Sequence, residues 1–357
     1  MNNIGSMCSP PKLLNGLSLD SAWVSIKQSY NDNFSNFEDN KINVFCFIGE
    51  YHNMVEEILC NSKVYHEING KLKNYYIFLS PHTYPDNLKI EYKDYFTVIE
   101  EPLLYSYYTD KFVNNIDINK NKKLHFLSLN NRASPNRQSL FYFFNKFSLL
   151  DKAYFSYLGE LYRAPFKSYK EIYNICAGEN IPWYLNNLDI DTLNEKIPLK
   201  IAGDQFLKND WSFSQDFYYT DTFCSIVMET YCAEKYPFLT EKTFKPIAFF
   251  HPFILNSNKG GLKLLQELGF KTFHDFWDES YDEYNGNRRL EAMFHLILEI
   301  GNWSTEKISQ MYTDMLPILE HNHNHFFNEL PQMFETRKLS LFDQIKKIAE
   351  DKKGLLK

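Results

Sequence analysis

The sequence predicts an α/β protein with two domains, each built on a parallel sheet. The chain has 357 residues, a length that accommodates two domains of ordinary size. Short, continuous apolar runs rich in β-forming residues alternate with helical stretches, which is typical of parallel strands joined by helical crossovers. A polar segment without aromatic residues, 114–123, separates two groups of such runs and indicates the domain boundary.

The first group of elements belongs to a predicted domain over residues 41–120. Residues 1–40 are polar and Asn/Asp-rich, and we interpret them as an N-terminal extension with one short helix around Ser21–Ser29. Apolar runs too short for typical helices indicate buried strands. The predicted elements of this domain are strands at 42–50, 74–80 and 95–100 and a helix at 54–60.

The second domain is predicted over residues 121–335, followed by an amphipathic C-terminal helix within 336–357. Its strands are again continuous apolar runs, and its helices carry apolar residues at helical spacing. The predicted strands are 124–130, 222–230 and 251–257, and the predicted helices are 138–150, 239–250, 259–270, 288–300 and 305–321.

Composition and charge restrict the class of partner and the compartment. The net charge of −7 argues against nucleic acid as the main partner, although a local basic cleft is compatible with it. Six cysteines without a CxxC pair indicate a reducing compartment. The sequence shows neither a signal-peptide pattern nor an apolar run long enough to span a membrane. We therefore expect a soluble, cytoplasmic protein.

The stretch SLNNRASPNR, residues 128–137, lies between a predicted strand and a predicted helix. Loops at the carboxyl ends of parallel strands line the ligand crevice, and a helix start offers N–H groups to an anion. Arg132 and Arg137 add planar donors that suit phosphate. These features indicate a pyrophosphate site. The alternative is that both arginines are surface charges or form salt bridges at the helix start.

A second stretch, residues 240–255, begins with Thr240, which is suited to cap a helix. Lys242 then falls in the first turn, where the helix dipole disfavours a cation, and this departure from local preference indicates function. Glu241 is able to accept hydrogen bonds from ribose hydroxyls. The alternative is an ordinary amphipathic helix entry with solvated charges.

Together these stretches resemble the donor-binding region of the α1,3-fucosyltransferase family. That family has an apolar strand ending in Phe-Glu-Asn, then Tyr-x-Thr-Glu-Lys, a helix, and a strand with an early proline. Here Met228-Glu229-Thr230 stands in place of Phe-Glu-Asn, so the donor's base and sugar stay open. The resemblance covers about residues 124–280, and its matching residues are Glu229, Tyr236, Thr240, Glu241, Lys242 and Pro252.

This resemblance implies two facing Rossmann-like domains, the GT-B glycosyltransferase architecture, and a metal-independent, inverting transfer. It implies a GDP- or UDP-sugar as the donor substrate, a glycan or other hydroxyl as the acceptor, and no further cofactor. In this implied site, Arg132 or Arg137 and Lys242 bind the donor phosphates, and Glu241 lies near the ribose. The donor-binding residues that it implies are Arg132, Arg137, Glu229, Tyr236, Thr240, Glu241 and Lys242.

An inverting transferase needs a base that deprotonates the acceptor hydroxyl. Glu50 ends the first predicted strand, and Gly49-Glu50 is similar to the family's base motif. Its rivals at other strand ends are Glu100, Glu101 and His82. Tyrosines suited to hold an acceptor in the same domain are Tyr92, Tyr95, Tyr105, Tyr107 and Tyr108.

Two weaker patterns would indicate a metal. Asp189-x-Asp191 matches the DxD motif of another glycosyltransferase class, and His321, His323 and His325 are clustered; we expect neither to bind a metal. Three other functions stay open: a phage-type transferase acting on a modified DNA base, a non-catalytic nucleotide-sugar-binding protein, and a phosphate-binding hydrolase.

Overall fold

The computed structural model describes residues 17–18, 24–27, 40–46, 52–70, 72–81, 83–84, 86–112, 118, 120–132, 134–160, 189–197, 199, 216–229, 237 and 239–356. The chain divides into two compact units. The first unit combines residues 1–110 with residues 328–357, and the second contains residues 111–327. The boundaries predicted from the sequence lie after residues 120 and 335. The structure places residues 328–357 in the first unit. This association joins segments far apart in the chain, so local sequence patterns do not predict it.

The first unit contains a parallel four-stranded sheet in the order β1-β2-β3-β4. All residues of β2 and β3 are buried, which explains why both read as uninterrupted apolar runs. The elements are β1 (Val24–Lys27), β2 (Ile42–Cys46), helix α1 (His52–Asn69), β3 (Tyr75–Ser80), helix α2 (Asp86–Glu91), β4 (Phe96–Glu100) and a 3₁₀ helix (Pro102–Lys111).

Strand β1 corrects the short helix expected around Ser21–Ser29. Val24 pairs with Ile42, and the two strands run parallel. The segment is too short to hold a helix by propensity alone, whereas the edge of β2 offers it a row of backbone hydrogen bonds.

The second unit contains a parallel sheet in the order β6-β5-β7-β8. Its first strand along the chain, β5, is therefore internal, with its successor on one side and later strands on the other. Strand β6 was not predicted. The elements are β5 (Leu124–Arg132), helix α3 (Pro135–Lys146), β6 (Ala153–Glu160), helices α4 (Ile190–Asn194) and α5 (Asp216–Asp221), β7 (Thr222–Met228), helix α6 (Glu241–Ala248), β8 (Phe253–Asn256), and helices α7 (Gly261–Glu267), α8 (Gly286–Gly301) and α9 (Thr305–Asn324).

These two sheets confirm the predicted α/β class with parallel strands. Among the helices in the described ranges, none has the length and apolarity to cross a membrane.

A continuous helical segment carries the chain from the second unit back to the first. After α9, the π-helical turn His325–Glu329 leads into α10 (Leu330–Lys352), and the boundary at Phe327/Asn328 lies within this turn. In the first unit, Arg337 of α10 pairs with the buried Glu101 at 3.2 Å. The Lys352 ammonium of α10 also lies 5.2 Å from the centre of the Tyr75 ring. These contacts tie α10 to the first sheet.

Much of the high aromatic content is core. In the second unit, Phe143 of α3 stacks on Phe294 of α8 with ring centroids 4.2 Å apart. In the first unit, four of the five tyrosines expected to hold an acceptor are buried; only Tyr107 is half-buried. That expectation is wrong for the buried four, because a ring enclosed by protein has no face left for a sugar. They are Tyr92, Tyr95, Tyr105 and Tyr108.

Lys122 is a buried cation just before β5. Its ammonium donates to the carbonyl oxygens of Tyr219 and Thr220 at 3.2 and 3.1 Å, and it lies 3.7 Å from the centre of the Tyr312 ring. Burial lowers the pKa of Lys122 to about 7, although Asp221 acts in the opposite direction. The Lys122 ammonium therefore caps the carboxyl end of α5, where a positive charge interacts favourably with the helix dipole.

His251 is a buried imidazole just before β8. Its Nδ1 lies 2.7 Å from the Ser225 hydroxyl, and its Nε2 lies 2.9 Å from the Thr222 carbonyl oxygen. Burial, aided by the charge of Lys122, holds the pKa of His251 well below its ordinary value. The ring is therefore neutral, with Nε2 donating to the carbonyl and Nδ1 accepting from the serine.

Candidate functional site

The candidate site lies at the carboxyl ends of β5 and β7. In the sheet, β6 lies on one side of β5, and β7 and β8 lie on the other side. The strand order therefore changes direction between β5 and β7. Open parallel sheets bind ligands in the crevice outside such a switch point. The segments that follow β5 and β7 thus determine what this crevice is able to bind.

Glu229 comes directly after β7 and is 1% exposed. Its Oε1 accepts from the Thr240 backbone N–H at 2.8 Å and from the Thr243 hydroxyl at 2.6 Å, and its Oε2 accepts from the Thr240 hydroxyl at 2.6 Å. Burial raises the pKa of Glu229, and the nearby Lys242 ammonium opposes this rise. The carboxylate thus anchors the start of α6 to the end of β7. Both of its oxygens engage the helix, so its geometry suits a positioning role.

Thr240 is the N-cap of α6, as the sequence predicts. Its hydroxyl oxygen accepts from the Lys242 backbone N–H at 3.3 Å. The Thr240 N–H donates to Glu229, so the N–H groups of both Thr240 and Lys242 are bonded within the protein and are not available to an anion. The positive charge at this helix start therefore comes mainly from the Lys242 side chain.

Glu241 and Lys242 form an ion pair at the rim of the site. The Lys242 Nζ lies 2.7 Å from Glu241 Oε1 and 3.2 Å from the Thr240 hydroxyl oxygen. The Glu241 and Lys242 side chains are 25% and 32% exposed, so both are accessible to a ligand. Burial raises the pKa of Glu241, but the Lys242 charge and the hydrogen bonds from Lys242, Thr240 and the backbone together lower it below its ordinary value. Glu241 is therefore ionised at neutral pH.

Arg137 lies in the first turn of α3, and its side chain reaches the end of β7. Ser134 caps this helix through its hydroxyl, which accepts from the Arg137 N–H at 3.3 Å, and Pro135 takes the first helical position. The Arg137 side chain is buried, and its Nη2 donates to the carbonyl oxygen of Met228 at 2.9 Å. Arg137 therefore joins α3 to the residue before Glu229. This buried position corrects the alternative that Arg137 is a surface charge.

The side chains of three residues predicted for the site lie outside the described part of the chain. Arg132 ends β5 by its backbone, and its side chain lies outside the described residues. Glu50 and Tyr236 lie outside them entirely, as does His82.

The two described rivals of Glu50 as a base are already engaged by cations in the first unit. Glu100 contacts the Lys89 ammonium and accepts from the Tyr84 N–H at 3.2 Å. Glu101 is buried and pairs with Arg337. Because these contacts already occupy both carboxylates, neither geometry suits a general base.

The end of β8 lies beside Glu229, because the Asn256 carbonyl oxygen accepts from the Glu229 N–H at 2.9 Å. The loop after β8 is fixed by the buried pair of Arg289 and Asp282, whose nearest atoms are 2.8 Å apart. Arg289 also donates to the Leu255 carbonyl at 3.0 Å. This side of the site is therefore held rigidly.

Thr243 and Ser134 were not singled out from the sequence. Thr243 follows Thr240 by three residues, so helical spacing brings the two side chains to one face of α6. Ser134-Pro135 is an N-cap followed by proline at the first helical position, a recognisable start signal. Both residues were therefore accessible to sequence reasoning.

The three histidines and Asp189 make structural contacts. Asp189 caps α4, binding the Thr192 N–H and hydroxyl at 3.2 and 2.7 Å. In the described part of the chain, no cluster of three or more His, Cys, Asp or Glu side chains has a metal-binding arrangement. The histidine rings lie beside backbone carbonyl oxygens, His321 at Gly269, His323 at Ala248 and His325 at Leu268.

The described residues thus place a buried carboxylate anchor and an accessible ion pair at the start of α6, and a buried guanidinium at the end of β7. Comparisons of the chain with protein-family models, with curated proteins and with solved structures found no match.

Proposed function

We propose that the protein is a glycosyltransferase that moves a sugar from a nucleoside-diphosphate sugar to an acceptor hydroxyl. The observation that carries the proposal is the position of Glu241 and Lys242 at the switch point between β5 and β7. A parallel sheet recognises nucleotides at this position. The Thr-Glu-Lys resemblance adds the reaction class, the GT-B architecture and the inverting, metal-independent course.

The chemistry required of the site is stabilisation of a pyrophosphate leaving group. As the sugar–oxygen bond breaks, negative charge develops on the diphosphate, and preorganised cations lower the energy of that charge. Lys242 supplies an accessible ammonium, and Arg137 places a buried guanidinium at the end of β7. Glu241 accepts hydrogen bonds from ribose hydroxyls. Glu50 is the proposed base that removes the acceptor proton.

The first experiment is a thermal-shift screen with GDP, UDP, CMP and dTDP and their sugars. One nucleotide at a hundred times its Kd should stabilise the second unit by about 2.7 kcal/mol, which corresponds to roughly 5–10 °C in Tm. Lys242→Ala should abolish that shift. Lys263→Ala is the matched control, because its side chain on α7 is 71% exposed and the charge change is the same. If none of these ligands shifts Tm, the proposal is wrong.

Catalysis is tested separately from binding. The sugar nucleotide that binds should release its nucleoside diphosphate when glycan acceptors are added, and Glu50→Gln should slow the release at least about a hundredfold. Binding without release would instead support a nucleotide-sugar-binding protein. Release that occurs only with DNA carrying modified bases would support the phage-type transferase.

A further inference from the structure

Among the described contacts of the Lys242 ammonium are two partners of different kinds. It bonds the Glu241 carboxylate at 2.7 Å and the Thr240 hydroxyl oxygen at 3.2 Å. The Thr240 hydroxyl gives its only hydrogen to Glu229, at 2.6 Å, so its lone pairs are left to face the lysine. The hydroxyl is thus locked as an acceptor, whereas the Glu241 side chain is the partner that a ligand is able to displace.

The free energy needed to displace Glu241 from Lys242 depends on the ligand. The carboxylate is only 25% exposed, so water does not fully replace the lost ammonium. A bare phosphate or pyrophosphate would occupy Lys242 and leave Glu241 beside a second anion. A nucleotide would bring hydroxyl donors with its phosphates, so that Glu241 exchanges one partner for another.

We infer that Glu241 competes with the ligand's phosphate for Lys242, and that this competition makes the site select nucleotides over inorganic phosphates. Selectivity arises from the penalty imposed on the wrong ligand as well as from contacts with the right one. The competition itself follows from the ion pair on the structure, and the preference for nucleotides rests on the proposed function. Glu241 is then a specificity-determining residue in addition to a ribose ligand.

The test compares inorganic pyrophosphate with the nucleoside diphosphate that gives the largest shift in the screen, by isothermal titration calorimetry. Glu241→Gln keeps the side-chain shape and removes the charge. It should bind pyrophosphate about fivefold more tightly than the wild type, the size expected for one partly exposed ion pair. It should bind the nucleoside diphosphate more weakly, so the selectivity ratio falls by more than about fivefold.

Two further variants keep the test interpretable. Glu267→Gln removes the same charge from α7, where the side chain is 61% exposed, and should leave both affinities unchanged. Lys242→Gln should abolish pyrophosphate binding in the Glu241→Gln background. Circular dichroism and Tm verify that each variant is folded.

The inference and the proposed function fail in different ways. Unchanged or weaker pyrophosphate binding by folded Glu241→Gln overturns the inference, as does the absence of pyrophosphate binding in both wild type and variant. If pyrophosphate binding tightens but no nucleoside diphosphate binds the wild type, the competition stands and the donor-site proposal is wrong. If nucleoside diphosphate binds and Glu241→Gln strengthens it, the role of Glu241 in selecting nucleotides is refuted.

Discussion

Thr243→Val tests whether Glu229 anchors the start of α6. The substitution replaces the hydroxyl that donates to Glu229 Oε1 at 2.6 Å with a methyl group of nearly the same size. Thr243 is fully buried and Glu229 is 1% exposed, so water does not replace the lost donor. The main chain of the helix is otherwise unchanged.

The expected loss of folding stability in Thr243→Val follows from two opposing contributions. A hydrogen bond to a charged acceptor contributes about 1.5–3 kcal/mol, and the added methyl group regains at most about 0.8 kcal/mol through burial. We therefore expect Thr243→Val to destabilise the second unit by about 1–2 kcal/mol, which lowers its Tm by roughly 2–8 °C. In a Glu229→Gln background the bond is no longer charge-assisted, so the same substitution should cost less than about 1 kcal/mol.

Urea titration followed by tryptophan fluorescence measures these changes, since all tryptophans except Trp23 lie within residues 111–327. Thr313→Val is the matched control on α9. Its hydroxyl donates at 3.0 Å to the Ser309 carbonyl of its own helix, and its removal should change stability by less than about 0.5 kcal/mol. A Thr243→Val variant as stable as the control, or an equal loss in both backgrounds, would refute the anchoring role.

Two further predictions concern stability against pH. Because burial lowers the pKa of Lys122 to about 7, the unfolded chain binds more protons than the folded one between pH 7 and 10.5. The stability of the wild type relative to Lys122→Met should therefore rise by about 1–2 kcal/mol from pH 7 to 9 in urea titrations, and a constant difference would contradict the burial argument. The pKa of His251 is well below 6.5, so the unfolded chain binds the extra proton below that pH. Wild-type stability should thus fall relative to His251→Gln by about 1–2 kcal/mol from pH 7 to 5, measured in the same way, and parallel curves for the two proteins would count against a neutral buried ring.

The sequence was most informative where burial on both faces produces continuous apolar runs. β2, β3 and β7 are buried throughout, and their runs predicted them closely. β1 was mistaken for a helix because a four-residue strand at a sheet edge carries little local signal and is specified by its pairing with β2. Pairing between distant segments is a tertiary effect, which local propensity does not contain.

The candidate site was partly predictable for a related reason. Thr240 was expected as a helix cap from its residue type and position, and the structure has it in that role. The function of Glu229 as an anchor depends on the fold, because eleven residues separate it from the Thr240 N–H that it binds. The sequence also left open whether Arg137 is exposed; its burial follows from the packing of α3 against the end of β7.

The return of residues 328–357 to the first unit makes that unit discontinuous in sequence, with the whole second unit inserted between its parts. A ribosome therefore delivers every residue of the second unit before it delivers α10. Since domains generally fold as units during synthesis, the second unit is able to fold before α10 has been synthesised and can pack in the first unit. Removal of α10 by truncation would consequently damage the first unit, although the sheet of that unit is formed by residues far earlier in the chain.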